Sequence, residues 1–284
     1  MKTRLVETIA DVRAIISKKR QQNEDIGLVP TMGKLHAGHG SLIERCRAEC
    51  KFVVVSIFVN PLQFGPSEDY ERYPRDLAAD LSLCEAQGVD LVFAPEAGEM
   101  YPNPQFTKVE VERISRHLCG RFRPGHFGGV ATVVLKLLNI VQPDRAYFGE
   151  KDAQQLAVIR RMVSDLNVPC SIIAIPTIRE NDGLALSSRN DYLKAEERQA
   201  ATILYQALRA AGDLIAAGER DPEVIRRQAR QMLQREEKVK VEYLEIVDAE
   251  EMQPVAEIAG PVRVAVAARV GSTRLIDNVL VRKN

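Results

Sequence analysis

Two histidines three positions apart, His36 and His39, stand in PTMGKLHAGHGSL at 30–42, between a short apolar segment and the start of a helix. In an open α/β sheet such a loop lies beyond the carboxyl end of a strand, where ligands bind. Gly33 and Gly38 let backbone approach a ligand, and a helix start offers free N–H groups to an anion. Two imidazoles there can bond phosphate oxygens and neutralise charge developing on a departing pyrophosphate. The plainer alternative is one turn residue and one cap. Zinc is a weak reading, because no third ligand stands nearby.

Other polar clusters fall at comparable places. FVNPLQF at 58–64 puts Asn60 and Gln63 where a strand leaves the sheet, suited to an uncharged polar substrate with hydroxyls or a carboxylate. A strand-ending Asn-Pro turn explains the same residues. FGEKDAQQL at 148–156 offers Lys151 as a point charge for phosphate, Asp152 for a cap, a ribose or a metal, Gln155 at the same mouth, and Gly149 for close approach. Helix capping is its alternative. LALSSRN at 184–190 can close Ser187, Ser188 and Arg189 over a triphosphate, though such residues are common in solvated loops. RPGHFGGV at 123–130 carries Arg123 and His126 on a glycine-rich turn that is as readily structural. Cys46 and Cys50 share a helix face and read as core, and the mixed charges of 226–240 read as a solvated helix face.

The elements that position these clusters alternate. Thr8 and Asp11 form a capping box for a helix over 8–21, followed by an apolar piece at 26–29 and a helix over 39–49. FVVVSIFV at 52–59 is apolar on both faces, as in a parallel strand covered by helices. Helices near 75–87, 129–140 and 152–166 alternate with strands at 90–95, 146–149 and 170–176. This order predicts an α/β fold, a Rossmann-like doubly wound parallel sheet. Beyond Pro176 a loop leads to helices over 194–218 and after Asp221-Pro222, then to strands at 241–248 and 262–270 that alternate as if half exposed. The division expected is 1–180 for the large domain and 181–284 for a smaller C-terminal α+β domain acting as a lid.

Composition narrows the partners. The 284 residues carry 39 Lys plus Arg against 39 Asp plus Glu, so there is no basic excess for a nucleic-acid backbone. Five cysteines without a Cys-x-x-Cys indicate neither a disulfide framework nor a zinc knuckle and fit a reducing compartment. The N-terminus does not read as a signal peptide, and the longest apolar run is too short to span a membrane. A cytoplasmic protein is expected.

PTMGKLHAGH, SIFVNPLQF, RPGHFGGVAT, FGEKDAQQL and DGLALSSRN, in this order and reaching to RLIDN at 274–278, closely resemble the pantoate–β-alanine ligase family. A broader kinship is with nucleotidyltransferases carrying a His-x-Gly-His signature. The resemblance implies two steps: pantoate and ATP give pantoyl adenylate and pyrophosphate, then β-alanine displaces AMP to give pantothenate. It implies that Met32, Gly33, Lys34, Leu35, His36, Ala37, Gly38 and His39 cradle ATP, with His39 the catalytic histidine. Gly149, Glu150, Lys151 and Asp152 would also bind ATP, with Ile178 and Leu186 to Arg189 closing from the second domain. Gln63 and Gln155 would hold pantoate, with Asn60 supporting the pocket. Mg²⁺ is implied, held mostly by phosphates and water, with Asp80 a possible protein contact, and a homodimer is implied too. Two departures stand out. Gly128 takes a place where many relatives carry a basic residue, so a cleft charge is missing or supplied elsewhere. Ala79 precedes Asp80 where some carry an acid, which weakens a dedicated metal site.

Three other readings use the same loop. A nucleotidyltransferase acting on a phosphorylated acceptor needs a basic acceptor pocket, whereas Asn60, Gln63 and Gln155 are neutral. A tRNA-charging enzyme fits the neutral charge poorly. A non-catalytic sensor would bind ATP and release no pyrophosphate.

Overall fold

The β-branched and aromatic runs between the helical segments pair as parallel strands, because each is apolar on both faces and needs a helical layer on either side. The structure is a computed structural model that describes residues 2–66 and 68–282. Its first part runs β1 (Arg4–Val6), α1 (Ile9–Gln21), β2 (Ile26–Thr31), α2 (Ala37–Glu49), β3 (Phe52–Ile57), α3 (Leu77–Ala86), β4 (Leu91–Phe93) and α4 (Ala97–Met100). There follow α5 (Cys119–Phe122), α6 (His126–Val141), β5 (Arg145–Gly149), α7 (Ala153–Asp165) and β6 (Ser171–Ile175). The remainder is α8 (Ala195–Ala200), α9 (Ile203–Ala216), α10 (Pro222–Leu233), β7 (Val239–Asp248), β8 (Val262–Val270) and β9 (Thr273–Val281).

Six strands form one sheet in the order β1-β4-β3-β2-β5-β6, all parallel, and β7-β8-β9 form a second, antiparallel sheet. From β2 the chain passes through α2 to β3 on one side and returns as β5 on the other. The β2–β5 boundary is therefore the topological switch point, where open sheets of this kind leave a crevice. One face of the sheet is covered by α1, α6 and α7, whose Val12, Ile16, Val134 and Ile159 pack on Leu28, Val54 and Phe93. The other carries α2 and α3, with Ile43, Cys46 and Cys84 against Val29, Val53 and Val92. Cys50 caps α2 in extended backbone instead of continuing the helix, and all five cysteines are free. Among the described residues no helix is long and apolar enough to cross a membrane.

The C-terminal part departs from expectation in three ways. β9, for which the sequence predicts no element, completes its sheet. β8 is buried along nearly its whole length and not half exposed. Val264, Val266 and Ala268 face α9 and α10, while Ala265 and Ala267 of β8, with Tyr243 and Val247 of β7, enter the main core. The sheet is thus a middle layer between helices and the large unit. Third, the helix expected over 194–218 breaks between α8 and α9, where the Thr202 hydroxyl takes the Gln199 carbonyl at 2.8 Å.

Candidate active site

The His36–His39 turn is built by its own backbone. Gly33 adopts φ +85°, and a Cβ there would sit 2.9 Å from Asp80 Oδ2. That oxygen accepts from Lys34 N at 3.0 Å, and Oδ1 accepts from Leu35 N at 2.7 Å. Burial lifts the Asp80 carboxyl above its ordinary pKa, with those two N–H groups working against it. Asp80, expected as a possible metal contact, clamps the turn, each of its oxygens accepting from a backbone N–H. Among the described residues no group of three or more His, Cys, Asp and Glu side chains could hold a metal.

His36 caps α2, its Nδ1 accepting from Gly38 N at 3.1 Å, and His39 Nδ1 accepts from His36 N at 3.3 Å. Each ring therefore keeps its proton on Nε2 and presents an N–H donor. The ring centroids lie 4.2 Å apart. Burial first, then the neighbouring His36, lowers the His39 pKa to about 3; burial and the Lys151 charge lower that of His36. The pair is electrically neutral at physiological pH.

A cavity of about 230 Å³ opens at the switch point. Met32, His36, Gly38 and His39 line it from the turn after β2, Asn60 and Gln63 from the end of β3, and Gly149, Lys151, Asp152 and Gln155 from the end of β5. Ile178 and the segment Leu186, Ser187, Ser188 and Arg189 line it from the opposite side. Gly33, Lys34, Leu35, Ala37 and Glu150 are not on its wall. Lys34 pairs with Asp191 at 3.1 Å, and the Glu150 carboxylate faces Arg263 at 3.5 Å. A larger space of about 640 Å³ continues outward past Arg123, Lys151, Asp152, Ser187 and Arg189 toward the small sheet. It has neither histidine of the pair and neither Gln63 nor Gln155 on its wall, which are gathered in the smaller cavity.

Asn60 is spent on structure. Its Nδ2 donates to Gln63 Oε1 and to Gly129 O, each at 3.1 Å, and its Oδ1 accepts from Tyr101 Oη at 2.8 Å. Gln63, buried and fixed by Asn60, turns its Nε2 toward Met32 Sδ at 2.9 Å. A Cβ at Gly129 would overlap the Leu62 carbonyl, so only glycine lets α6 approach this turn. Arg123 is neutralised by Glu68 at 2.5 Å and donates to His126 Nε2 at 3.0 Å, while His126 Nδ1 donates to Gln63 O at 2.8 Å. Burial, then the Arg123 charge, lowers the His126 pKa to about 4. The Gly128 departure has a local reason: a Cβ there would lie 2.5 Å from Lys108 Cε, so that side chain fills the space, its Nζ paired with Glu110.

Some lining residues carry no local signal in the sequence. Val130, Val133, Val134 and Leu137 form an apolar wall, and their i, i+3, i+4, i+7 spacing is also that of an ordinary core face. Arg189 is held by Asp69 at 3.0 and 3.1 Å, and Ser188 Oγ lies 3.3 Å from Tyr73 Oη. Burial opposes the Arg189 charge, but the Asp69 carboxylate outweighs it and holds the pKa above the ordinary value. Nothing local in the sequence marks Asp69 as the partner, 120 positions away.

A doubly wound parallel sheet whose switch point gathers neutral imidazole donors, a lysine and an arginine-bearing segment defines a nucleotide-handling α/β enzyme. The family model described as pantoate-beta-alanine ligase matches residues 4–280. A pantothenate synthetase of Acetivibrio thermocellus is 55% identical over 278 residues, covering 98% of this chain and 99% of that one. One from Thermotoga petrophila is 56% identical over 277 residues, with 98% and 99% covered. The crystal structure of pantothenate synthetase from Thermus thermophilus superposes with a TM-score of 0.93 at 49% identity, covering 98% of this chain and 99% of that one. A pantoate-beta-alanine ligase from Francisella tularensis, complexed with beta-gamma ATP and beta-alanine, gives a TM-score of 0.82 at 35% identity, with 98% and 97% covered. The chain belongs to the pantoate–β-alanine ligase family.

Proposed function

We propose that the chain condenses pantoate with β-alanine at the expense of ATP, in two steps within the 230 Å³ cavity and the cleft outside it. The observation that carries this reading is the convergence of the two Nε2–H donors, Lys151 and the Arg189 segment beside an apolar wall with neutral amides. A pantoate carboxylate oxygen attacks the α-phosphorus of ATP, the bond to the bridging oxygen breaks, and pyrophosphate leaves. His36 and His39 donate to phosphate oxygens, with His39 the principal donor, and Lys151 offsets charge gathering on the leaving group. The amine of β-alanine then attacks the acyl carbon, the carbon–oxygen bond to AMP breaks, and the nitrogen loses a proton. The two methyl groups of pantoate fit against Val130, Val133, Val134 and Leu137, and its oxygens against Gln63 and Gln155. No side-chain nucleophile is required, and positioning supplies much of the rate.

Mg²⁺ enters with the nucleotide, held mostly by its phosphates and water, since among the described residues no group of three or more His, Cys, Asp and Glu side chains could cage it. Ser187, Ser188 and Arg189 reach the phosphates from the second unit, which we place at 181–284 beside a large domain at 1–180. A homodimer and a cytoplasmic setting complete the reading; the family resemblance supports both, and the free thiols agree with the second. Light scattering at twice the 31.7 kDa chain mass tests the dimer.

The decisive assay is pyrophosphate release from MgATP and pantoate, with and without β-alanine. Expected is about one equivalent per site without the amine and sustained turnover with AMP when it is added. Absence of pantoate-dependent pyrophosphate overturns the substrate assignment.

A further inference from the structure

The turn that carries Lys151 has no side-chain cap of its own at the end of β5 or at the start of α7. Its restraint arrives from the other sheet. Asn278, on β9 and 5% exposed, donates from Nδ2 to two carbonyls, Glu150 O at 2.9 Å and Lys151 O at 3.0 Å. Its Oδ1 accepts from Arg263 Nη1 at 2.7 Å. Carbonyls only accept and a guanidinium only donates, so the orientation of the amide is determined by its partners. Arg263, equally buried, also stands 3.5 Å from the Glu150 carboxylate. Behind them, Asn278 N donates to Asp277 Oδ1 at 2.7 Å, and Arg179 grips Asp277 through both Nη atoms, at 2.6 and 2.9 Å. The asparagine is therefore locked from three sides, and it spends its amide on the backbone beneath Lys151.

We infer that Asn278, held by Arg263, is a positioning residue for the adenylation step: it fixes the carbonyls of Glu150 and Lys151 and so aims the Lys151 ammonium at the nucleotide phosphates. The inference rests on the assignment of Lys151 to ATP made above. It accounts for an asparagine at this place, since aspartate cannot donate to either carbonyl and alanine leaves both unpaired in a buried site. It also makes the small sheet part of the nucleotide site, joined at this point to the large one.

Asn278→Asp is the informative variant, because it keeps the side-chain shape and gives Arg263 a carboxylate partner. Affinity for β,γ-methylene ATP and KM for pantoate are measured in Asn278→Asp, in Lys151→Ala and in the double variant, with thermal midpoints recorded for each. Expected is a loss of ATP-analogue affinity of about ten-fold in Asn278→Asp, with pantoate KM changed by less than about two-fold. In the Lys151→Ala background the same substitution adds less than about two-fold, as coupled residues require. An equal loss in both backgrounds, a parallel rise for pantoate, or unchanged analogue affinity in Asn278→Asp overturns the inference. If Lys151→Ala weakens the analogue and Asn278→Asp does not, only the present inference falls. If Lys151→Ala leaves the analogue affinity intact, the Lys151 assignment falls and this inference with it. Should Asn278→Asp not fold, Arg263→Lys carries the same readouts, since it loosens the amide while keeping the charge.

Discussion

Removing His39 tests whether the histidine pair works as neutral donors or as cations. Its Nδ1 accepts from His36 N at 3.3 Å, so the ring proton resides on Nε2 and faces the cavity. Burial lowers the pKa to about 3. Near pH 6 only about one ring in a thousand is then an imidazolium, so a cationic mechanism would draw on a negligible population. Loss of one transition-state donor costs roughly 10²–10³ in rate, equivalent to about 3–4 kcal/mol. Single-turnover pyrophosphate release from saturating MgATP and pantoate, compared in the parent and in His39→Ala from about pH 5 to about pH 9, supplies the test. The expected result is a large rate ratio that stays constant across the range, because a neutral donor does not titrate there. A ratio that grows as pH falls through about 6.5 would show the working species to be the cation and exclude the neutral donor. A ratio near one at every pH would remove His39 from the chemistry altogether.

Other consequences can be read in simpler assays. Gln155→Ala is expected to raise pantoate KM about ten-fold with little change in ATP affinity; the reverse pattern would move the acceptor elsewhere in the cleft. Gly129→Ala forces α6 off the Leu62 carbonyl, so a stability loss of about 1–3 kcal/mol by urea midpoint is expected, outweighing the helix preference for alanine. Asp69→Asn leaves the half-buried Arg189 charge without its partner and is expected to lower stability by about 1–2 kcal/mol, solvent screening included, with denaturant unfolding as the check. His39 and His126 have folded pKa values of about 3 and about 4, depressed from the ordinary 6.5, so the unfolded chain takes protons that the native one refuses. Stability is therefore full above about pH 6.5 and falls on acidification toward those values, each histidine costing about 2 kcal/mol by pH 5. His126→Gln should shrink the difference between urea midpoints at neutral pH and near pH 5; an unchanged difference counts against the buried neutral ring.

Periodicity and local chemistry made much of this protein legible in one dimension. Strands apolar on both faces implied a covered parallel sheet, Thr8 and Asp221 marked helix starts that the structure caps with those side chains, and the glycine–histidine turn fell after β2 as its spacing required. These features depend on neighbours a few residues apart, so they follow from local order along the chain. β1 and β9 were not legible: the first has three residues, and the second hides its apolar alternation behind Asp277 and Asn278, whose burial depends on Arg179 and Arg263. How polar residues were divided between structure and cleft followed from long-range packing. Asp80 went to backbone N–H groups at 34 and 35 and Glu150 to Arg263, and Asn60, although on the cavity wall, gave its amide to Gln63 and Gly129, whereas Lys151 and Gln155 face the cavity. Each outcome depends on a partner distant along the chain that folding brings within hydrogen-bond reach. A buried polar group must take whatever partner the packing provides, and residue type and local spacing do not say which one that is.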